Sequence, residues 1–190
     1  MNWYEKLSEY FPVEEMKSKD HIEALLSEQG DIYHKDESSN HVLMYVEFDE
    51  FLFIDYLFVS GKARGQGLGN KLLDKLKDKR KPIILEVEPV DEDDHDTEKR
   101  LRFYKRAGFK HARSIGYRRR SLATNEVNTM EILYWSPNEE TEEDILEHMK
   151  RTYETIHTYK DKQWYGRSYL NADEVLKLRE EEHDNILDDL

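Results

Sequence analysis

The chain has 190 residues, no cysteine, and 42 acidic against 29 basic side chains, which gives a formal net charge of −13. That length suits one compact domain, or one domain with an appendage, and the 12% of aromatic residues supplies a core despite the 37% of charged ones. The absence of cysteine excludes a disulfide framework, a thiolate metal site and a cysteine nucleophile.

Neither a membrane segment nor a secretory leader is predicted. The longest apolar run, 51–59, is interrupted by Asp55 and falls short of the roughly 20 residues that cross a bilayer. The first six residues lack a basic region followed by an apolar one. We therefore predict a cytoplasmic protein that does not enter a membrane.

Charge changes sign along the chain. Residues 1–61 hold 4 basic and 14 acidic side chains and residues 137–190 hold 7 and 16, whereas residues 62–120 hold 18 and 10. A basic segment inside an acidic chain favours a local anionic ligand, although neutralisation between segments of the fold explains it equally well. Because the total is acidic, nucleic-acid binding is not predicted.

The spacing of apolar residues predicts the first elements. Helical spacing before Pro12, and again before Gly30, predicts two short helices. Strand-forming residues over 41–48, a turn, and an almost continuous apolar run over 51–59 then predict a hairpin whose second strand is central.

A parallel crossover follows the hairpin. An apolar stripe from Leu68 to Leu76 predicts a surface helix, and the apolar residues of 82–88 predict the next strand. The strand over 51–59, this helix and this strand then follow the order of a parallel crossover. Another helix is predicted to end at Gly108, a strand resumes at Phe109, and a late strand covers 129–135.

The last segment is acidic and differs from what precedes it. Helical spacing predicts an amphipathic helix from Glu139 onward, and a further helix is predicted from Val175, Leu176, Ile186 and Leu187. We divide the chain into a domain of residues 1–136 and a helical extension of residues 137–190 packed on or beside it. The role of the extension and the formation of a homodimer stay open.

A glycine-rich turn lies between the central strand and the surface helix. Gly65, Gly67 and Gly69 alternate after Arg64, at a point where the first amides of a helix are unpaired donors. Such a turn favours phosphate over the alternative of an ordinary tight turn. The spacing matches neither the G-x-G-x-x-G dinucleotide fingerprint nor a P-loop, so an ATP or GTP hydrolase is not predicted.

Two runs resemble motifs of the GNAT acetyltransferase superfamily. Arg64-Gly65-Gln66-Gly67-Leu68-Gly69, after the strand Leu57-Phe58-Val59, is similar to that family's acyl-CoA pyrophosphate motif. Arg102-Phe103-Tyr104-Lys105-Arg106-Ala107-Gly108-Phe109 is similar to its second motif. The resemblance covers about residues 41–109, and 129–135 suits the family's late strand.

The resemblance implies an α/β (α+β) fold. Its mixed, mostly antiparallel sheet would have six or seven strands, a central parallel pair that splays apart, and flanking helices, here with the C-terminal helical extension added. Acetyl-CoA is implied as co-substrate. Backbone groups of Leu57, Phe58 and Val59 would pair with its pantetheine arm. The pyrophosphate would be held by the turn and helix start, at Arg64, Gly65, Gln66, Gly67, Leu68, Gly69 and Asn70.

Tyr104 is the implied general acid. It would protonate the leaving thiolate, which a phenol of ordinary pKa near 10 can do. A core tyrosine on the Leu101/Tyr104 face is the alternative. Many members of the family carry Asn and Ala seven and four residues before this tyrosine, where this chain has Thr97 and Arg100.

The general base has several candidates. An amine is mostly protonated at neutral pH, so a carboxylate or a chain of waters has to take a proton. Glu86 is the preferred candidate if its face of the strand lines the cleft; if that face meets solvent, Glu86 and Glu88 are ordinary surface charges. Glu88 shares that face, and Asp55 lies in an apolar strand, where a charge needs a partner.

Other charged clusters receive ordinary interpretations. The acidic run 91–96 lacks the glycine and glutamate of an EF-hand, and the histidines lack zinc spacing, so no metal site is predicted. The run Arg118-Arg119-Arg120 is interpreted as a solubilising device on a strand edge.

The function that these observations predict is an N-acetyltransferase. It would move acetyl from acetyl-CoA directly to an amine of a small molecule or peptide, within a ternary complex. The acidic composition favours a cationic acceptor such as a polyamine, an aminoglycoside or a lysine-containing peptide. The alternatives are an acyl-CoA-binding sensor with the same fold and little or no catalysis, and an unrelated phosphate-binding domain.

Overall fold

Eight strands form one open sheet in the computed structural model, which describes residues 1–190. The strands are β1 (Tyr33–Glu37), β2 (His41–Glu47), β3 (Leu52–Val59), β4 (Ile83–Val87), β5 (Lys110–His111), β6 (Ile115–Arg120), β7 (Val127–Trp135) and β8 (Leu176–Leu178). The α-helices are α1 (Trp3–Tyr10), α2 (Lys19–Glu28), α3 (Leu68–Lys77), α4 (His95–Arg106), α5 (Glu142–Thr152), α6 (Asp161–Tyr165) and α7 (Ala172–Val175). None of the helices is long and apolar enough to cross a membrane.

The strand order confirms the predicted fold class. The strands lie in the order β1-β2-β3-β4-β7-β6-β8, and β5 also pairs with β7. Every neighbouring pair is antiparallel except β3 and β4. The sheet has eight strands instead of the six or seven expected. The sequence analysis made no prediction for β1 and β8, and for β6 it assumed only a strand edge at the arginine triplet.

A β-bulge in β3 and an early end to its parallel pairing open a cleft. Tyr45 pairs with Ile54 and Met44 with Tyr56, so Asp55 is the extra residue of the bulge. Parallel pairing with β4 stops at Ile54, although β3 continues to Val59. Bulges bend a strand and increase its twist, which accounts for the divergence of the two strands beyond this point.

The two faces of the sheet carry separate hydrophobic cores. The larger core has 27 buried residues and joins the N-terminal helices to α5 and the segment after it. The smaller has 15 and lies under α3 and α4. On β4, Ile84 belongs to the larger core while Leu85 and Val87 belong to the smaller, as strand alternation requires.

The C-terminal segment is built into the larger core. Thr141 caps the start of helix α5, where its side chain accepts the Asp144 amide, and the helix continues as a π-helical turn, Tyr153–His157. Ile145, Met149 and Ile156 are fully buried in that core. The predicted helix after Glu139 is therefore confirmed.

The second helix predicted in this segment is wrong. Ala172–Val175 makes a single helical turn, and the chain then forms β8 along the edge of β6. Residues 186 and 187 lie in a turn. A helix of a single turn leaves backbone groups without hydrogen-bond partners, and pairing with β6 supplies those partners.

Candidate active site

A cavity of about 630 Å³ lies where β3 diverges from β4. Its lining comes from β3, the glycine turn, the start of α3, and α4. The predicted site residues that line it are Leu57, Val59, Arg64, Gly65, Gly67, Leu68, Gly69, Asn70 and Tyr104. The structure thus brings most of the predicted binding residues to one place.

Two predicted binding residues do not reach the lining. The Phe58 side chain packs against the larger core and the Tyr10 ring, on the other face of β3. Gln66 turns its side-chain amide back to donate to the Lys62 carbonyl, at 2.8 Å. Its backbone amide is used inside the turn, where it donates to the Ala63 carbonyl.

The glycine turn presents unpaired amides to this cavity. Gly65 and Gly67 have φ values of 77° and 79°, a conformation that glycine adopts without a steric penalty. The amide of Lys71 is the first to bond back, to the Gly67 carbonyl at 3.0 Å. The amides of residues 68–70 therefore point out of the helix start without an intrahelical acceptor.

Five cationic side chains and one acidic side chain line the same cavity: Arg64, Lys99, Arg100, Arg102 and Arg106, with Asp96. Five of the 18 basic side chains of residues 62–120 therefore lie here. Together with the free amides, this excess of positive charge fits a polyphosphate ligand.

Tyr10 was not singled out by the sequence, yet it closes one side of the cavity. Its ring lies under the guanidinium carbons of Arg64 and Arg100, at 4.9 and 5.4 Å from the ring centre. Cation–π contacts of this kind hold both guanidiniums in place. Tyr10, Arg64 and Arg100 lie far apart in the sequence, so no local pattern indicates that they meet.

Tyr104 lies at the inner end of the cavity. The residue is 4% exposed, and its hydroxyl makes no hydrogen bond to another protein group. Burial, above all, raises the pKa of the phenol well above its usual value, so it keeps its proton at neutral pH. A protonated phenol that faces a cavity is able to act as a proton donor.

A second, smaller cavity of about 40 Å³ meets the first. Leu57, Arg100 and Tyr104 line both cavities. The smaller cavity is polar and holds both signs of charge: Glu15, Lys17, Asp55, Glu86 and Arg119 complete its charged lining. A polar group that entered it would lie next to Tyr104.

Glu86 lies on the face of β4 that lines this smaller cavity, and one oxygen of its carboxylate, Oε1, is engaged. It accepts from the Tyr117 hydroxyl at 2.8 Å and from His157 Nε2 at 2.6 Å, and Arg119 lies 3.7 Å away. Burial alone would raise the pKa of Glu86, but His157 and Arg119 outweigh it and hold the pKa far below the usual range. So acidic a group has little tendency to take a proton.

Asp55 is paired, as a charge in an apolar strand requires. Lys17 Nζ lies 2.7 Å from one oxygen, and the Tyr33 hydroxyl donates to the other at 2.6 Å. Burial opposes ionisation, but the Lys17 charge and these hydrogen bonds keep the pKa of Asp55 below its usual value. Its oxygens are occupied by protein groups.

Arg119 corrects the interpretation of the arginine triplet. Ile115, Tyr117 and Arg119 alternate on the buried face of β6, while Arg118 and Arg120 are exposed. The Arg119 side chain is 7% exposed and its Nε has no partner. The triplet therefore contributes one buried cation to the smaller cavity, and the period-two pattern of β6 was the signal for it.

Glu15 was also missed. It ends the 3₁₀ turn Val13–Glu15, and its Oε1 lies 3.6 Å from Arg100 Nη1. That oxygen is buried and has no hydrogen-bond partner. Burial, above all, raises the pKa of Glu15 to about 7; the neighbouring carboxylate of Glu88 also raises it, whereas Arg100 lowers it.

The splayed parallel pair, the glycine turn and the cationic cavity are the features expected of the GNAT acetyltransferase fold, and the comparisons agree. Residues 29–111 match the family described as acetyltransferase (GNAT) domain. The chain belongs to this family.

YjbC of Bacillus subtilis (strain 168), which is named provisionally as an acetyltransferase, is 73% identical to this chain over 191 residues. The match covers 100% of both chains. A solved structure from Bacteroides thetaiotaomicron, named provisionally as a GNAT acetyltransferase, has a TM-score of 0.62 and 25% identity. It covers 87% of this chain and 90% of that one.

A Bacillus subtilis acetyltransferase solved in complex with CoA is a weaker match. It is 16% identical, covers 64% of this chain and 85% of that one, and has a TM-score of 0.46.

Proposed function

We propose that the protein transfers the acetyl group of acetyl-CoA directly to an amine, with both bound together. The observation that carries this proposal is the junction of the two cavities at Leu57, Arg100 and Tyr104. A long cationic cavity that meets a small polar one suits a polyphosphate-bearing acyl donor on one side and a polar acceptor on the other.

The donor would lie along the larger cavity. The free amides of residues 68–70 and the arginines around them would hold the pyrophosphate, and the edge of β3 beyond Ile54 would pair with the pantetheine arm. This assignment uses the backbone of Leu57, Phe58 and Val59, so the inward packing of the Phe58 ring does not count against it. Gln66 would contribute only to the shape of the turn.

Tyr104 would donate a proton to sulfur. As the amine nitrogen bonds to the acetyl carbon and the carbon–sulfur bond breaks, the thiolate takes the phenol proton. Glu86 would hold His157, Tyr117 and Arg119 in position rather than take a proton, because its pKa is so low. The acceptor would be a small molecule or peptide amine, and the acidic chain favours a cationic one.

Binding and catalysis are tested separately. Thermal unfolding with acetyl-CoA, CoA and ATP should show a rise with both CoA species and none with ATP, since a ligand that binds only the native state stabilises it. No rise with any of the three would contradict the donor site.

Replacing Tyr104 with Phe then separates an enzyme from an acyl-CoA sensor. The Tyr104 hydroxyl has no protein partner, so its removal should cost less than about 1 kcal/mol of stability. Loss of the general acid should lower kcat by about 10²- to 10⁴-fold, with the same thermal shift by acetyl-CoA. Tyr134→Phe, on β7 and outside both cavities, is the matched control.

A wild-type protein that binds acetyl-CoA but acetylates none of spermidine, kanamycin and a lysine-containing peptide would favour the sensor. Equal turnover by Tyr104→Phe and the wild type would show that the phenol is not the acid.

A further inference from the structure

We propose that Glu15 accepts the proton of the incoming amine and that Glu88 passes this proton to solvent. The inference rests on the proposed acetyl transfer and supplies the base which that reaction needs. It assigns a catalytic role to a residue of the turn between α1 and α2, outside both motifs that identify the family.

The position of Glu15 is suitable for this role. Its side chain is 12% exposed and lines the smaller cavity together with Arg100 and Tyr104. An amine in that cavity would lie between the carboxyl group and the phenol. A base has to come within hydrogen-bond reach of the proton that it removes, and Glu15 lines the cavity that the amine would enter.

The hydrogen bonding of Glu15 is incomplete. Only four buried side-chain polar atoms in the protein lack a partner, and they belong to Glu15, Arg100, Arg119 and His157. Three of these residues line the smaller cavity, and the fourth, His157, bonds to Glu86, which does so too. A buried carboxylate oxygen without a donor is unfavourable, and an amine N–H in the cavity would satisfy it.

The other carboxylates of the cavity are less suitable. Asp55 already receives a lysine on one oxygen and a tyrosine on the other. Glu86 receives a histidine and a tyrosine on Oε1 and has the charge of Arg119 3.7 Å from Oε2. Glu15 alone among them has a buried oxygen with no hydrogen bond. Because the pKa of Glu15 is about 7, this carboxyl group is partly ionised at neutral pH and yet able to hold a proton.

Glu88 gives the proton a way out. It follows Glu86 on the same face just after β4, it is only half-buried, and its carboxylate is among the charged groups that act on Glu15. The charged groups that face Glu15 are Arg100 from α4, Glu88 beside β4 and Arg119 from β6. Of these, only Glu88 is a carboxylate, and its partial exposure brings it to the solvent.

The protons balance. An ammonium group gives its first proton to Glu15, whose O–H bond forms as the N–H bond breaks, and Glu88 and water carry it away. The nitrogen then bonds to the acetyl carbon and loses a second proton. That second proton replaces the one that Tyr104 gives to the thiolate, so each turnover releases one proton to solvent.

The test uses Glu15→Gln and Glu88→Gln, with Glu14→Gln as matched control, because Glu14 lies on the same turn but outside the cavity. Release of free CoA is measured against pH with acetyl-CoA and whichever of spermidine, kanamycin and a lysine-containing peptide turns over fastest. Glu15→Gln should lower kcat by about 10²-fold or more, abolish the acidic limb of the kcat profile and leave the KM for acetyl-CoA unchanged.

Glu88→Gln should move that limb to lower pH, because it removes a negative charge that favours the protonated form of Glu15. Glu14→Gln should match the wild type in kcat, in the acidic limb of the kcat profile and in the KM for acetyl-CoA. A wild-type acidic limb in Glu15→Gln, or an unmoved limb in Glu88→Gln, would overturn the proposal, since a purely structural role moves neither.

A carboxyl titration separates this inference from the proposed function. With ¹³C-labelled glutamate, the wild type should show one carboxyl resonance that titrates near pH 7 and is missing in Glu15→Gln. If no such resonance exists, the Glu15 proposal fails even where amines are acetylated. If it exists and no amine is acetylated, the proposed transfer is wrong, and with it the role of Glu15 as its base.

Discussion

Acidification should destabilise the protein through His21, a fully buried histidine on α2. Its Nε2 lies 2.9 Å from the Ile156 carbonyl, to which it donates, and its Nδ1 lies 2.8 Å from the Tyr165 hydroxyl, from which it accepts. The Tyr165 oxygen in turn accepts the Ser18 amide at 3.0 Å. This chain of bonds fixes the neutral form of the ring and joins the N-terminal helices to the C-terminal segment.

The magnitude follows from the pKa of His21, which burial, with help from the Lys17 charge, lowers to about 3 from its ordinary value near 6.5. Below pH 6.5 the unfolded chain binds a proton at this ring that the folded chain does not bind. Stability therefore falls as pH falls through this window. The loss is about 2 kcal/mol between pH 6.5 and 5, and at most roughly 5 kcal/mol by pH 3.

Urea unfolding followed by tryptophan fluorescence at pH 7.5 and at pH 5 measures this loss in the wild type and in His21→Gln. Trp164 stacks on the His21 ring, so one of the three tryptophans reports on this contact. The variant should be less stable at pH 7.5 but should lose about 2 kcal/mol less than the wild type on going to pH 5. Burial also lowers the pKa values of His148 and His157. His148 contributes equally to both proteins and cancels in the difference, whereas His157 acts on His21 and shares in the measured effect. Equal losses in the two proteins would refute the reasoning.

Two further predictions concern the glycine turn and the C-terminal segment. Gly69→Ala places a Cβ 3.0 Å from two atoms of the Phe103 ring, which has to shift into the larger cavity. Titration calorimetry should show weaker acetyl-CoA binding, while the unfolding midpoint stays close to that of the wild type. Unchanged affinity would mean that the ring moves elsewhere. A chain of residues 1–136 lacks Ile145, Met149 and Ile156 from the larger core, a loss of about 5–9 kcal/mol at 1.5–3 kcal/mol each. Because domains are stable by only about 5–15 kcal/mol, the chain of residues 1–136 should show no cooperative urea transition. A sharp transition would mean that residues 137–190 are a separable extension.

The sequence predicted the parts of the fold that local patterns determine. The hairpin over 41–59, the helix after the glycines and the strand over 82–88 each have a period or a boundary residue of their own, and all three are confirmed. The glycine turn is equally local, because positive φ at Gly65 and Gly67 requires glycine itself. Motifs of this kind can be found without knowledge of the fold.

Elements that depend on a distant partner were missed. Of the five residues of β1, only Tyr33 is buried, so its sequence resembles an exposed loop until β2 pairs with it. β8 has three residues and forms only because β6 has a free edge. Neither carries a period long enough to distinguish a strand from its alternatives.

The smaller cavity was predicted in part. Glu86 and Asp55 could be singled out because a carboxylate in an apolar strand is unusual, and both line this cavity. Glu15 gave no such signal, since its burial depends on Arg100, which is 85 residues away in the chain. Its place in the site is a tertiary property, and the same holds for Tyr10 beneath its two arginines.

The free edge of β3 bears on how this protein tolerates sequence change. Beyond Ile54 the strand has β2 on one side and no strand on the other. Backbone N–H and C=O groups are the same whatever side chain they carry, so exchanges among strand-forming residues at 57–59 leave the hydrogen-bonding capacity of that edge intact. Proline there would remove a donor. The cleft is therefore encoded by the path of a strand more than by residue identity, and chains of low identity can preserve it while the polar cavity beside it diverges.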